Sequence, residues 1–209
     1  MTPGKRIFDL TVVLFLTVLL SPVIIGLALV LLLAEGRPVL YIAERMTSPT
    51  RAFGLVKFRT MRPDTGPANV PIGVTGGDKA ARMSGLQKLL RRTRADELPQ
   101  LWNVIRGDLS LVGPRPPLRH YVEAFPDLYA QVLRNRPGVT GLASLVFHAH
   151  EERLLAACKT AAETDAVYRA RCIPRKARLD LIYQARRTVC FDLILVLQTA
   201  AKPFRRRST

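Results

Sequence analysis

A long apolar run near the N-terminus limits the folds that are open to this chain. Residues 10–34, LTVVLFLTVLLSPVIIGLALVLLLA, include no charged side chain. About 20 apolar residues are enough for a helix to cross the hydrocarbon core of a bilayer, so one straight transmembrane helix is the simplest interpretation. A cleaved signal peptide is disfavoured, because the apolar part is too long and no small-x-small cleavage site follows it.

A Ser-Pro pair and the flanking charges favour a different path. Ser21 and Pro22 lie near the middle of the run, and proline removes a backbone hydrogen bond and kinks a helix. Basic residues flank both ends of the run, Lys5 and Arg6 before it and Arg37 and Arg45 after it. The positive-inside rule places both flanks in the cytoplasm. We therefore expect a re-entrant helix-break-helix whose freed carbonyl is satisfied by the Ser21 hydroxyl or by water, with the simple span as the alternative.

The composition indicates anionic partners without choosing among them. The 209-residue chain has a formal net charge of +16 and a sequence pI of about 10.8, which suits nucleic acid, anionic lipid or phosphorylated substrates. Its three cysteines, Cys158, Cys172 and Cys190, are widely spaced and form no C-x-x-C pair. A disulfide framework or a zinc site is therefore disfavoured, and a reducing compartment is expected.

Residue patterns in the rest of the chain predict a mostly helical α+β fold. Short strands are predicted at 37–42 and 53–58, where β-branched and aromatic residues concentrate. A loop rich in Pro, Gly and Asp is predicted at 62–78 and a turn at 136–141. Helices are predicted at 80–93, 97–106, 117–134 with an interruption near Pro126, 151–163 and 174–201. We expect two parts, a membrane anchor over 1–36 and a small globular domain over 37–209.

The last predicted helical stretch is basic and amphipathic. Apolar residues such as Leu179, Ile182 and Phe191 are interspersed with arginines that include Arg178 and Arg186. Such a stretch lies in a membrane interface or packs on a globular core, and the sequence does not decide between the two. The tail KPFRRR at 202–207 has its own two alternatives, contact with anionic lipid at about 1 kcal/mol per basic residue or a solvated end.

Two adjacent carboxylates, Asp96 and Glu97, open the stretch DELPQLWNVIRGDLSLVGPRP at 96–116. The simplest interpretation is a helix N-cap, because an Asp side chain accepts from the free backbone N–H groups and the helix dipole favours an anion there. A chemical interpretation is also open, since helix N-termini attract phosphate and a carboxylate can attack phosphorus. Glu97, about 100° away around the helix, would then serve as a general base.

Arginines surround this pair in the sequence. Arg91, Arg92 and Arg94 precede it, and Arg115 follows in a Gly-Pro-Arg-Pro-Pro turn. Proline on both sides of Arg115 restricts the backbone, so the turn holds that guanidinium ready for bidentate phosphate contact at low entropic cost. A nucleophilic Asp96 among phosphate-binding arginines is therefore the alternative to a plain helix cap.

Several segments of the chain match one family pattern. They are KRIFDL at 5–10 with the Ser21-Pro22 break, KFRTM at 57–61, the block at 96–116, RPGVTGLA at 136–143 and YQARRTVCFDLILVLQTA at 183–200. Together they resemble the bacterial sugar transferases, the small monotopic phosphoglycosyl transferases, nearly from end to end. The chain departs from that pattern at 43–52, which lacks the usual Gln and glycines, at Arg94-Ala95, and in the loop at 62–78.

The resemblance implies a reaction. Members of the family move a phospho-sugar from a nucleoside diphosphate sugar, usually a UDP-sugar, to a polyprenol phosphate such as undecaprenyl phosphate, and so begin the assembly of membrane-bound glycoconjugates. Asp96 would attack the β-phosphorus and release UMP, and Glu97 would help to activate the acceptor. Mg²⁺ would be held at Asp96 and offset the diphosphate charge. The expected location is the bacterial inner membrane, with a re-entrant anchor, anionic lipids as neighbours and the catalytic domain on the cytoplasmic face.

The same resemblance assigns binding roles to other polar residues. Arg115 matches the arginine of the family's G-P-R-P motif, a phosphate ligand. Arg91 and Arg59 match basic positions of the family, and Arg136 and Thr140 lie in its RPGVTG block, so all four are further candidates for substrate or phosphate binding. The transferred sugar, the glycan pathway and the oligomeric state are not set by the sequence.

A membrane-tethered basic nucleic-acid-binding protein is the main rival interpretation. It accounts for the charge and the anchor, but it gives no reason for the Asp96-Glu97 pair or the rigid Arg115 turn, and no recognised nucleic-acid motif is present. A non-catalytic scaffold and a hydrolase with an aspartyl-phosphate intermediate are two further readings. His148 and His150 form a weak candidate metal pair if they lie on a strand, where alternate residues face the same way.

Overall fold

Helices make up most of residues 2–60 and 84–201, which are the parts of the chain that the computed structural model describes. The helices are α1 (Pro3–Glu35), α2 (Gly85–Thr93), α3 (Gln100–Arg106), α4 (Arg119–Ala124), α5 (Pro126–Val132), α6 (Leu142–Val146), α7 (His148–Ala156), α8 (Ala161–Val167), α9 (Ile173–Arg186) and α10 (Val189–Ala201). The strands are β1 (Leu40–Met46), β2 (Ala52–Phe58), β3 (Ser110–Val112) and β4 (Gly138–Thr140). A 3₁₀ turn covers Ala95–Glu97 and a π turn covers Tyr168–Cys172. The predicted loop at 62–78 and the basic tail lie outside the described residues.

The helix α1 is continuous from Pro3 to Glu35. Pro22 has no N–H to donate to the carbonyl of Val18, four residues earlier, and the Ser21 hydroxyl donates to that same carbonyl at 2.8 Å. The expected role of Ser21 is therefore confirmed. The expected break between two separate helices is not, since helical geometry runs through Ser21 and Pro22. A helix of 33 residues is about 50 Å long, and α1 alone among the described helices is long and apolar enough to cross a membrane.

Both ends of α1 nevertheless contact the same globular part. Near the N-terminus, the Arg6 guanidinium donates to the carbonyls of Val104 and Ile105 at 2.7 and 2.8 Å, at the end of α3. Near the C-terminus, Leu31 is buried with Phe58 and Leu90. Between these contacts the helix is largely exposed, as at Val18, which is 75% exposed.

A buried polar network joins the N-terminal turns of α1 to the last helix. The Lys5 ammonium donates to Asp192 of α10 at 2.6 Å and lies 3.5 Å from Asp9. Asp9 accepts from the Ser110 hydroxyl at 2.6 Å, and Asp192 accepts from the Tyr183 hydroxyl at 2.6 Å. All five residues are buried. The first helix, β3 and the last two helices are therefore tied at one point.

Two small two-stranded sheets complete the fold. β1 and β2 are antiparallel, with Leu40 opposite Phe58, and β3 and β4 are parallel, with Val112 opposite Thr140. Asn103 of α3 ties the first sheet to the helices, because its side chain accepts from the N–H of Val56 at 2.9 Å and donates to a β2 carbonyl at 2.8 Å.

Most predicted elements are present with shifted boundaries. The strands at 37–42 and 53–58 become β1 and β2, and the helix at 117–134 is divided at Pro126 as expected. Three predictions are wrong in detail. The turn predicted at 136–141 includes β4, whose three residues are too few to show the alternation typical of a strand. The helices predicted at 151–163 and 174–201 are each divided, into α7 and α8 and into α9 and α10.

The C-terminal pair of helices keeps an exposed apolar surface. α10 buries Leu195 and Asp192 but leaves Leu193, Ile194 and Leu197 exposed. This pattern suits a membrane interface, and the interfacial placement of α9 and α10 stays a prediction.

Removing the cation from the buried network should destabilise the whole chain. Lys5→Met leaves two buried carboxylates facing each other without a counter-charge, and we expect the free energy of unfolding to fall by about 3–5 kcal/mol. Chemical denaturation in detergent micelles measures it. Lys88→Met, the same change at an exposed lysine of α2, is the matched control, and equal stability of the two variants would contradict this account.

Candidate active site

Asp96 and Glu97 lie in the 3₁₀ turn between α2 and α3. The predicted α-helix with Asp96 as its N-cap is wrong, because α3 begins only at Gln100 and Asp96 is inside the turn. The cause is Arg94, which ends α2 in the left-handed conformation with φ +58° and sends the chain directly into the turn. Its carbonyl then accepts from the N–H of Glu97 at 3.1 Å.

The two carboxylates project in different directions. Neighbouring residues of a 3₁₀ helix are about 120° apart, so the two side chains face largely different neighbours. The charges that act on Asp96 include Arg91 and Lys57, whereas those that act on Glu97 are led by Arg115 and Arg94.

Asp96 is held in an environment that disfavours its charged form. Its side chain is buried, with 7% of the residue exposed. Burial, and then the negative charge of Glu97, raise the pKa of Asp96 to about 6, although Arg91 and Lys57 oppose the shift. At neutral pH most molecules carry an ionised Asp96 that is more basic than an ordinary aspartate, as suits a nucleophile or a proton acceptor.

Glu97 has the opposite electrostatic balance. Burial acts to raise its pKa, but the positive charges of Arg115 and Arg94 outweigh burial, so the pKa of Glu97 is lowered. Arg115 donates from Nη2 to Oε1 of Glu97 at 2.9 Å, and Arg94 Nη1 lies 3.9 Å from Oε2. Glu97 is therefore ionised at neutral pH and orients Arg115.

The turn that bears Arg115 is fixed on both sides. The carbonyl of Pro114 accepts from the N–H of Gly138 at 2.9 Å, and the carbonyl of Pro117 accepts from the N–H of Met46 at 3.0 Å. A Cβ on Gly113 would collide with the carbonyl of Arg136, so the turn and the RPGVTG segment pack backbone against backbone. Since the Arg115 side chain is still 45% exposed and a guanidinium has five N–H donors, donors are left for a ligand.

Arg91 and Lys57 supply positive charge on the Asp96 side. Arg91 Nε donates to the Thr60 hydroxyl at 2.9 Å, and Lys57 Nζ lies 5.4 Å above the ring of Tyr41. Burial and then Arg45 lower the pKa of Lys57. Lys57 was not predicted as a site residue. The sequence feature that could have identified it is its position in KFRTM, two residues before Arg59. Lys57 lies on β2 and its charge acts on Asp96, whereas Arg59 follows the strand.

The structure places three other candidates away from the carboxylates. Arg59 donates to the carbonyls of Glu35, Gly36 and Arg37 at 2.8–3.2 Å and so closes the end of α1. The Arg136 guanidinium packs over Gly107 beside Arg6, and the Thr140 hydroxyl bonds to that of Thr199 at 2.6 Å. These contacts are structural, and phosphate binding by the three residues stays a prediction.

The two histidines lie on a helix, not on a strand. In α7 they are separated by about 200°, so the strand geometry assumed for a metal pair is wrong. His148 Nε2 is 3.4 Å from Glu152, and His150 Nε2 is 3.0 Å from the Arg175 guanidinium.

Binding of Mg²⁺ at this site would depend on the carboxylates of Asp96 and Glu97. No group of three or more His, Cys, Asp or Glu residues able to hold a metal ion occurs in the described parts of the chain. Mg²⁺ is commonly bound by one or two carboxylates, with substrate phosphates and water completing the shell. Asp96, whose charge is poorly compensated, fits that mode, whereas Glu97 is already committed to Arg115.

Comparison with known proteins gives a consistent picture. The sequence model described as bacterial sugar transferase matches residues 2–206. An uncharacterized sugar transferase, EpsL, of Bacillus subtilis strain 168 is 37% identical over 141 residues, which are 68% of this chain and 67% of that protein.

Two further relatives carry names that state a reaction. The UDP-glucose:undecaprenyl-phosphate glucose-1-phosphate transferase of Caulobacter vibrioides is 37% identical, over 68% of this chain and 53% of its own length. The UDP-N-acetylgalactosamine-undecaprenyl-phosphate N-acetylgalactosaminephosphotransferase of Aeromonas hydrophila is 32% identical, over 68% of this chain and 34% of its own length. The chain thus spans about half or less of these two proteins.

The raised pKa of Asp96 predicts a pH-dependent gain in stability for Asp96→Asn. The folded state disfavours the charged form, so the contribution of Asp96 to wild-type stability is most favourable below about pH 4, falls between about pH 4 and 6, and stays low above that range. Asn does not titrate, and the variant should be more stable by about 2–3 kcal/mol at pH 7.5 and no more stable near pH 4. Denaturation at both pH values tests this. Glu123→Gln, at an exposed site, should show no such pH-dependent gain, and a constant difference for Asp96→Asn would contradict the prediction.

Proposed function

Because this chain belongs to the bacterial sugar transferase family, we propose that it transfers a sugar 1-phosphate from a UDP-sugar to a polyprenol phosphate through a covalent intermediate on Asp96. The single observation that carries the proposal is the buried, poorly compensated Asp96 carboxylate with Lys57 and Arg91 beside it and the Arg115 turn next to it. The names of two relatives, which include undecaprenyl phosphate and a UDP-sugar, support this choice of acceptor and donor.

In the first step an Asp96 oxygen attacks the β-phosphorus of the donor. The bond between that phosphorus and the bridging oxygen breaks, UMP leaves with the electron pair, and the sugar phosphate remains on Asp96. Lys57 and Arg91 bind phosphoryl oxygens and stabilise the charge that develops there. The raised pKa of Asp96 supports this role, since a more basic carboxylate is the better nucleophile.

In the second step an oxygen of the polyprenol phosphate attacks the same phosphorus and displaces Asp96. A phosphate monoester loses its last proton near pH 6, so most of the acceptor is already a dianion at neutral pH, and Glu97, which is ionised there, takes the proton only from the remainder. Arg115 has N–H donors that Glu97 does not use, and these bind the phosphoryl oxygens. Mg²⁺ bound at Asp96 would supply charge neutralisation of the diphosphate.

The expected place of action is the cytoplasmic face of the bacterial inner membrane. Contacts of both ends of α1 with one globular part support a re-entrant topology, since a helix that crossed the bilayer would carry its ends to opposite sides. The exposed apolar side chains of α1 and α10 support contact with lipid. No observation favours the nucleic-acid-binding alternative.

The first half-reaction should be seen without lipid acceptor. Incubation of the purified protein with UDP-sugars and Mg²⁺ should release about one equivalent of UMP and add the mass of one sugar phosphate, as expected of a covalent intermediate. Asp96→Asn should give neither, whereas Asp127→Asn, an exposed aspartate of α5, should behave as wild type. The rate of adduct formation should decline below about pH 6 as Asp96 is protonated. Adduct formation by Asp96→Asn, or UMP release without an adduct, would refute the covalent route.

Topology gives a separate prediction. Single cysteines at Thr2→Cys and Arg37→Cys, in a background with the exposed Cys190 replaced by Ser, mark the two ends of α1. A membrane-impermeant maleimide should label both in inverted inner-membrane vesicles and neither in spheroplasts. Ala161→Cys, at an exposed site, reports the side of the globular part. Labelling of the two ends from opposite sides would establish a simple span and exclude the re-entrant helix.

A further inference from the structure

A pocket of about 390 Å³ opens on the surface between α7 and the segment that begins at the π turn. Pockets of roughly 300–1,000 Å³ hold small organic ligands, and π turns often mark functional positions in helices. The residues that line it are His150, Leu154, Ala170, Arg171, Pro174 and Arg175. None of the six is among the main groups that act on Asp96 or Glu97, although Glu151, which follows His150 in the chain, acts on Arg115.

The positive charge of this pocket is uncompensated. Arg171 and Arg175 are four residues apart, a spacing at which like charges on a helical face repel. No carboxylate lines the pocket, and neither arginine forms an ion pair within residues 2–60 and 84–201. The neighbouring Glu151 does not neutralise them, because both of its oxygens accept from Lys176, at 3.0 and 3.2 Å.

In the pocket, Arg175 contacts a weak hydrogen-bond acceptor, the imidazole of His150. Arg175 Nη1 lies 3.0 Å from Nε2 of His150. A guanidinium can only donate, so the ring nitrogen of His150 is the acceptor in this contact. A ring nitrogen is a weak substitute for an anion, and the remaining donors of Arg175 and those of Arg171 are open to a stronger acceptor.

The remaining wall of the pocket is apolar. Leu154, Ala170 and Pro174 form it, and a cavity of this size exceeds what one inorganic anion fills. Guanidinium pairs match the oxygens of phosphate in charge and geometry. We propose that the pocket binds an organic phosphate, with the phosphate between Arg171 and Arg175 and the organic part against the apolar wall. Soluble nucleotides and phospholipid headgroups both offer this chemistry.

Histidine-selective NMR tests the proposal on the full chain in nanodiscs. The chain has three histidines, and the signal of His150, assigned by its loss in His150→Gln, reports on the ring that Arg175 contacts. UMP is added to nanodiscs of zwitterionic phosphatidylcholine, with uridine as the phosphate-free comparison. In a second arm, phosphatidylglycerol replaces part of the lipid. A saturable shift of the His150 signal with UMP identifies a soluble ligand, and a shift with phosphatidylglycerol alone identifies a headgroup; either supports the pocket.

Charge removal provides the control. Arg171→Ala/Arg175→Ala should weaken the response at least about tenfold, the size expected when charged hydrogen bonds are lost. Arg134→Ala/Arg178→Ala removes two charges at exposed sites outside the pocket and should leave it within about twofold. Unchanged His120 and His148 signals show that each variant is folded. Absence of a saturable His150 shift in both arms, or equal losses in the two double variants, would overturn the proposal.

Discussion

The buried ion pair between Lys5 and Asp192 determines how the rest of the molecule is arranged. It joins two residues that are 187 positions apart in the chain, so it holds the first and last helices next to each other. A buried ammonium between two carboxylates tolerates little displacement, because each unpaired charge is costly in an apolar interior. Through Asp9 and the Ser110 hydroxyl the same network fixes β3. β3 leads into the Arg115 turn, so the constraint at the anchor extends to the candidate active site.

Local patterns predicted the elements that depend on local physics. The strands β1 and β2, the division of a helix at Pro126, and the use of the Ser21 hydroxyl where Pro22 lacks a donor all follow from neighbouring residues. The polar network does not, because Lys5 and Arg6 are equally well explained as charges that orient a membrane segment. Only the fold reveals that Lys5 is buried and that Arg6 closes the end of α3. The left-handed backbone conformation of Arg94 could not be predicted either, because an arginine residue does not favour positive φ.

The charged residues near the two carboxylates were predicted better than their arrangement in space. Arg115 and Arg91 lie beside the carboxylates as expected, but Lys57 was missed and Arg59 is engaged at the end of α1. Which residue of a strand faces a site depends on register, and a shift of one residue reverses the face. The opposite pKa shifts of Asp96 and Glu97 could not be predicted from the sequence either. They arise because the two adjacent side chains share Lys57 but have different arginines, with Arg91 acting on Asp96 and both Arg115 and Arg94 acting on Glu97.

Two features that lower the stability of the folded state, one at Arg94 and one at Asp96, lie within three residues of each other. Arg94 adopts a backbone conformation that L-residues disfavour, and Asp96 holds a charge that its surroundings compensate poorly. Such features persist only where the surrounding structure over-determines them. Here α2 begins with a reciprocal capping box between Ser84 and Gln87, and Asn103 ties α3 to β2 on the other side of the turn. Since both flanking helices are secured independently, the turn between them can keep both the strained backbone of Arg94 and the poorly compensated carboxylate of Asp96.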